Sequence, residues 1–191
     1  MLKFPYNILL GSQSPRRREL MKLLDIPYTA ISLNADESFP NDLVAEEIAE
    51  YLAEKKSLMY SLKPNELLIT ADTIVWIDNQ VLNKPANSQE ALAMLKRMSG
   101  KAHYVYTGVC IRTLLHKFVF SDATKVYFNS LSDKEIEYYV NRYEPYDKAG
   151  GYGVQEWIGA VAISKIEGSY FNVMGLPIHS VYQHLKFFEN A

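Results

Sequence analysis

From Leu67 to Ile77 the chain is an apolar run rich in branched residues, and Asp72 is its one charged member. The run lacks the polar alternation of a half-exposed strand, which predicts a strand covered on both faces. Such a strand needs a layer above and a layer below. That requirement restricts the chain to folds in which helices flank a sheet.

The flanking segments supply those layers. Ile8 to Leu10 reads as a short strand that enters Gly11-Ser12-Gln13-Ser14, where Ser14 and Pro15 predict an N-cap and the first residue of a helix to about Asp25. A second helix is predicted from about Asp42 to Leu62, with Val44, Ile48, Tyr51, Leu52 and Met59 as its apolar stripe. Asp78-Asn79-Gln80 is the turn after the long strand. Asn87 with Glu90 caps a helix that Gly100 ends. Tyr104–Leu114 and Phe118–Phe128 pair as a hairpin around Leu115-His116-Lys117. Ser132 with Glu135 caps a helix to about Arg142, Ala160 to Ile166 reads as a strand, and Pro177 opens a last helix to Glu189. The sum is an α/β fold with a mixed sheet, in one domain of 191 residues without repeats or linkers.

Composition narrows the function. A net charge of -2 with 22% charged residues excludes the broad basic face of a nucleic-acid binder, so any polyanion site is a local cluster of Lys and Arg for a small target. No stretch has membrane-spanning length, and the apolar run after Met1 is too short for a signal sequence. The one cysteine, Cys110, has apolar neighbours and no internal partner, which predicts a core thiol in a reducing, cytosolic compartment. His103, His116, His179 and His184 lack ligand spacing, so a metal site would be oxygen-based, suited to Mg²⁺ or Mn²⁺. Neither a P-loop nor a Gly-x-Ser-x-Gly turn is present.

Several residues sit where structure alone would not put them. A helix start carries partial positive charge, yet Arg16, Arg17 and Arg18 crowd this one. Either they are solvated, or free N–H groups, the serine-rich loop and the guanidinium forks form a phosphate site. Burying Asp72 unpaired would cost several kcal/mol, so it is either ion-paired for structure or used with a metal or in catalysis. Strand alternation sends Asp72 and Thr73 to opposite faces. Lys84, beside Pro85, is either a surface lysine or an ammonium aimed at a ligand. In Asp147-Lys148-Ala149-Gly150-Gly151-Tyr152-Gly153-Val154-Gln155 the glycines permit close backbone approach and Gln155 can bond a base edge, although a plain surface loop has similar composition.

Taken in order, these fragments resemble the Maf family of nucleotide pyrophosphatases. The resemblance runs over nearly the whole chain, through Gly11 to Arg17, Asp36-Glu37, Leu52 to Lys56, Ala71-Asp72-Thr73, Lys84-Pro85, Ser99-Gly100, Asp147 to Gly150 and Gly168 to Pro177. It implies a two-lobed α/β structure with a central mixed sheet beside a cleft, similar to inosine triphosphate pyrophosphatases; members often form homodimers. It implies Ser12, Arg16, Arg17, Lys56 and Lys84 as triphosphate contacts, Asp72 as proton acceptor, Glu37 as a further carboxylate near the metal, and Arg16, Thr73 and Gln155 at base choice. The segment ending at Gln155 looks like the dTTP/UTP branch rather than the 7-methyl-GTP branch. Glu156-Trp157 departs from the family's usual Gly and small apolar residue. On the apolar stripe Lys55 falls near the centre and Lys56 at the edge, and an edge lysine is the one that reaches a ligand.

These implications combine in one scheme. A divalent cation held by Asp72 and Glu37 neutralises a nucleoside triphosphate, and Asp72 orients a water for attack at the α-phosphorus. The alternatives are a pyrophosphatase of other base preference, such as 7-methyl-GTP, and, from another class, a nucleotide-sensing, cell-division regulatory module that binds without turnover. The module's weakness is a carboxylate that would repel phosphate unless a metal intervened.

Overall fold

The computed structural model describes residues 3–189. Among these residues seven strands form one mixed sheet: β1 (Asn7–Gly11), β2 (Thr29–Ile31), β3 (Glu66–Ile77), β4 (Gln80–Leu82), β5 (Ala102–Arg112), β6 (Lys117–Phe128) and β7 (Ile163–Glu167). Their order is β2-β1-β3-β5-β6-β7, with β4 paired to β3. β1 lies parallel to both β2 and β3, with Leu9 opposite Leu68, while β4 and β7 are antiparallel to β3 and β6. The helices are α1 (Pro15–Lys22), α2 (Glu46–Leu58), α3 (Ser88–Met98), α4 (Asp133–Tyr143), α5 (Trp157–Ala162), α6 (Tyr170–Met174) and α7 (Ile178–Leu185). Among the described residues no helix is long and apolar enough to cross a membrane.

The covered strand is as predicted. In β3 the side chains of Leu67 to Ile69, Ala71, Ile74 and Val75 are all buried, with no alternation between faces. The expected caps also form. Ser14 accepts from the Arg17 amide, Asn87 from the Glu90 amide, and Ser132 with Glu135 closes a capping box. Asp78 and Asn79 take positive φ between β3 and β4, the conformation a two-residue hairpin requires.

Other boundaries differ. α1 ends at Lys22 rather than Asp25, because Asp25 has turned to φ 52. α2 is shorter than the predicted 42–62. Ala45 has φ 48, so no helix can pass through it, and Glu47 turns back to accept from the Val44 amide. Its buried face is Ile48, Ala49, Leu52, Ala53 and Ser57, whereas Val44, Tyr51 and Met59 are exposed. Two alanines outweigh larger side chains there because the helix backbone lies very close to the sheet. The stretch 160–162, expected as strand, finishes α5, and β7 starts only at Ile163. The last helix tightens into a 3-10 turn over Lys186–Glu189, and α6 has no counterpart in the sequence reading.

By contacts the described residues fall into two compact units. The first comprises those of 1–73, 107–122 and 175–191, the second 74–106 and 123–174. In the first, α1, α2 and α7 accompany β1, β2 and parts of β3, β5 and β6, and Leu10, Leu20, Met21, Ile48, Leu52, Val109 and Leu185 are buried. Cys110 is buried here as expected, and burial pushes its thiol pKa up. In the second, α3, α4 and α5 pack with the remaining strand segments around Val75, Leu95, Val126, Tyr139 and Ile158.

One glycine in the first unit fixes the seat of α2. A Cβ on Gly108 of β5 would lie 2.2 Å from the carbonyl carbon and oxygen of Ala49. Backbone meets backbone there, and nothing can swing aside. Gly108→Ala is therefore expected to reduce unfolding free energy by about 3 kcal/mol, measured by urea titration; an unchanged midpoint would contradict the packing.

Candidate functional site

α1 starts immediately after β1, and Ser14 aligns its first turn by accepting from the Arg17 amide at 3.5 Å. The Ser12 side chain accepts from the Ser14 amide at 3.2 Å and is nearly buried. The three arginines then part company. Arg17 turns inward, donating from Nε to the Gly175 carbonyl at 2.7 Å and from Nη2 to the Thr73 hydroxyl at 3.1 Å. Arg18 is exposed and reaches the Ser12 carbonyl at 3.4 Å. Arg16 is half-buried and close enough to act on Arg17 by charge. Three solvated arginines is thus the wrong description of this turn.

The first unit brings Asp72 to the same cluster. Its carboxylate, 9% exposed, accepts a hydrogen bond from Lys56 Nζ, and the same ammonium meets Glu37 Oε1 at 3.0 Å. Partial burial lowers the Arg17 pKa; Asp72 acts in the opposite sense, Arg16 adds to the lowering, and Glu37 again opposes it. Ser12, Arg16, Arg17, Glu37, Lys56, Asp72 and Thr73 all belong to the first unit. Lys84 and Gln155 belong to the second, where both are exposed, Lys84 between β4 and α3 and Gln155 just before α5.

Asp72 and Thr73 have different partners, in keeping with strand alternation. Asp72 meets Lys56 of α2, while Thr73 shares its hydroxyl with Arg17 of α1 and with Thr107 of β5 at 2.9 Å. On α2 the expected placement of the lysines is inverted. With Ile48, Ala49, Leu52, Ala53 and Ser57 buried, Lys56 lies in line with the covered face and Lys55 at its edge. Two carboxylates, Asp72 and Glu37, meet the Lys56 ammonium there.

Sequence reasoning missed the groups that hold these side chains. Asp36 accepts from the Ser38 hydroxyl and amide and from Lys55 at 3.1 Å. Those contacts, Ser38 first and then Lys55, bring its pKa down to about 2 and tie the loop that carries Glu37 to α2. The Gly175 carbonyl and Thr107 hydroxyl, far along the chain from Arg17, gave no local signal.

The oxygen donors fit a hard divalent cation only in part. Glu37 and Asp72 already converge on one positive group, yet no cluster of three or more His, Cys, Asp or Glu exists among the described residues. Two carboxylates suit Mg²⁺ or Mn²⁺ when phosphate oxygens and water complete the shell.

Against known proteins, the Maf family profile, described as Maf-like protein, matches residues 7–188. A protein of Bacteroides thetaiotaomicron named dTTP/UTP pyrophosphatase is 50% identical over 184 residues, covering 95% of both chains. One of Porphyromonas gingivalis with the same name is 50% identical over 188 residues, covering 96% of this chain and 94% of its own. A solved HAM1 protein from Coxiella burnetii aligns at a TM-score of 0.42 and 15% identity, over 64% of this chain and 73% of that one.

The Arg17–Thr73 contact carries its own test. Thr73→Val keeps the shape but withdraws the acceptor from a guanidinium, and is expected to cost about 1–2 kcal/mol of stability, whereas Thr73→Ser should retain most of it. Equal denaturation midpoints for Val and Ser would show that the hydroxyl does not matter.

Proposed function

The chain belongs to the Maf family, and from that premise we propose that it is a nucleoside triphosphate pyrophosphatase acting on dTTP and UTP. It releases the nucleoside monophosphate and pyrophosphate, the activity for which its relatives are named. The observation that carries the reading is Asp72, a carboxylate set in an apolar strand and met by a lysine that a second carboxylate shares, with Arg17 within electrostatic reach and Arg16 beside it. A purely structural pair needs neither Glu37 nor the arginines.

Lys56 meets Asp72 and Glu37, Arg17 lies within electrostatic reach of both and Arg16 within reach of Arg17, three cationic side chains against two anionic. So small an excess of positive charge leaves a triphosphate largely unneutralised. That shortfall supports a divalent cation, Mg²⁺ or Mn²⁺, held by Asp72, Glu37 and the substrate's own oxygens. When bound, such an ion neutralises phosphate charge and polarises the α-phosphoryl group.

The side chains do the rest. Ser12, Arg16, Arg17, Lys56 and Lys84 bind phosphate oxygens, the arginines by planar forks and the lysines as point charges. Lys56 is held by carboxylates in the free protein, and a phosphate oxygen competes for the same ammonium. Asp72 takes the proton of the water that attacks the α-phosphorus, and pyrophosphate leaves with the electron pair of the broken P–O bond. Arg16, Thr73 and Gln155 select the base, Gln155 through its amide. A homodimer in the cytoplasm is the assembly and setting in which we expect this activity.

Asp72→Asn preserves size and hydrogen bonding but cannot take up the proton. Pyrophosphate release from dTTP and UTP should fall by about 10²–10⁴-fold. Wild-type protein that binds these nucleotides without hydrolysing them, with Mg²⁺ or Mn²⁺ present, would instead establish the sensing module. Treatment with a chelator should abolish turnover, and either ion should restore it. Activity that persists in the chelator would remove the cation from the scheme.

A further inference from the structure

Gln155 is exposed, and one buried hydroxyl bonds the backbone before it and a side chain after it. Tyr139 of α4, fully buried and stacked on Tyr143 at 5.0 Å, accepts from the Gly153 amide at 3.1 Å. The same hydroxyl donates a hydrogen bond to Glu156 Oε2. Residue 153 lies two before Gln155 and residue 156 one after it, so a single oxygen spans the segment. We propose that Tyr139 is a positioning residue for base selectivity, acting by clasping the two flanks of Gln155 through Gly153 and Glu156. This rests on the reading of Gln155 as the base contact.

The clasp has support behind it. Glu156 Oε1 accepts from Lys148 Nζ at 3.0 Å, and Lys148, itself nearly buried, also donates to Asp147 at 2.7 Å. Glu156 is the N-cap residue of α5, yet its side chain makes no cap hydrogen bond. Its carboxylate is given to Tyr139 and Lys148 instead. Within the segment, the Tyr152 hydroxyl is hydrogen-bonded to His103 Nε2 at 2.7 Å, and a Cβ on Gly159 would meet the Val154 carbonyl oxygen at 1.9 Å. Residues 148–159 are therefore held at several points, and Gln155 is the exposed position among them.

The consequence is chemical. Thymine and uracil present an acceptor at O4 where cytosine presents an amino donor, and an amide offers both a donor and an acceptor. Discrimination then depends on which amide atom lies within hydrogen-bond distance, and that is set by where the Gln155 backbone is held.

Tyr139→Phe keeps the ring and deletes the clasp. The ratio of kcat/KM for dTTP to that for CTP is expected to fall by about tenfold or more, through KM for dTTP, with kcat within about twofold of wild type. Hydrogen exchange at the Gly153 amide should accelerate in the same variant. Glu156→Ala should lower the ratio as well, and Glu156→Gln, which still offers an acceptor to the hydroxyl, should restore most of it. Gln155→Ala separates the two ideas. If it collapses the ratio while Tyr139→Phe leaves it intact, the clasp is overturned and the base reading stands; if Gln155→Ala leaves the ratio unchanged, the base reading falls and the proposal with it. Should Tyr139→Phe fail to fold, equal losses in Glu156→Ala and Glu156→Gln would overturn the proposal.

Discussion

The meeting of Asp72 with Lys56 is the contact on which the first unit depends. A carboxylate among Leu67 to Ile77 would be intolerable alone, and so would an ammonium on the covered side of α2; together each offsets part of the other's penalty. The pair holds only if α2 lies close to the sheet. Gly108, with no side chain against the Ala49 backbone, permits that approach. Small residues at the contact and large charges at its end are two aspects of one packing decision.

Around that pair the supporting contacts come from distant parts of the chain. Arg17 arrives from the start of α1 and is held by Gly175 and Thr73, and Thr73 in turn by Thr107. Glu37 arrives on a loop fastened by Asp36, Ser38 and Lys55. Each charged group has a neighbour that fixes its direction, as electrostatic catalysis requires, because donors aimed in advance need no rearrangement when charge develops. The second unit uses similar means on a smaller scale. Tyr139, Glu156 and Lys148 restrain the turn that bears Gln155.

Local chemistry was legible wherever a signal spans a few residues. The Ser14, Asn87 and Ser132 caps, the turn at Asp78-Asn79 and the covered run of β3 each depend on neighbours in sequence, and each is present in the structure. Where the reading missed, a distant contact outweighed the local pattern. The helical spacing of Val44, Ile48, Tyr51, Leu52 and Met59 predicts the α2 stripe, and Ile48 and Leu52 are on it, but close approach to β5 favours Ala49 and Ala53 over Val44, Tyr51 and Met59, which turns the helix and exchanges the roles of Lys55 and Lys56. The segment at 160–162 has strand composition, yet it completes the α5 turn begun at Trp157.

By itself the sequence determined the covered β3, the helix caps, the buried Cys110 and the family to which the chain belongs, because propensity, capping and ordered motifs are written in adjacent residues. Only the tertiary structure decided which of three arginines turns inward, which of two lysines meets Asp72, and that Glu37 shares that lysine. Those outcomes depend on how near separate backbones come to one another. That distance is set by packing between segments far apart in the chain.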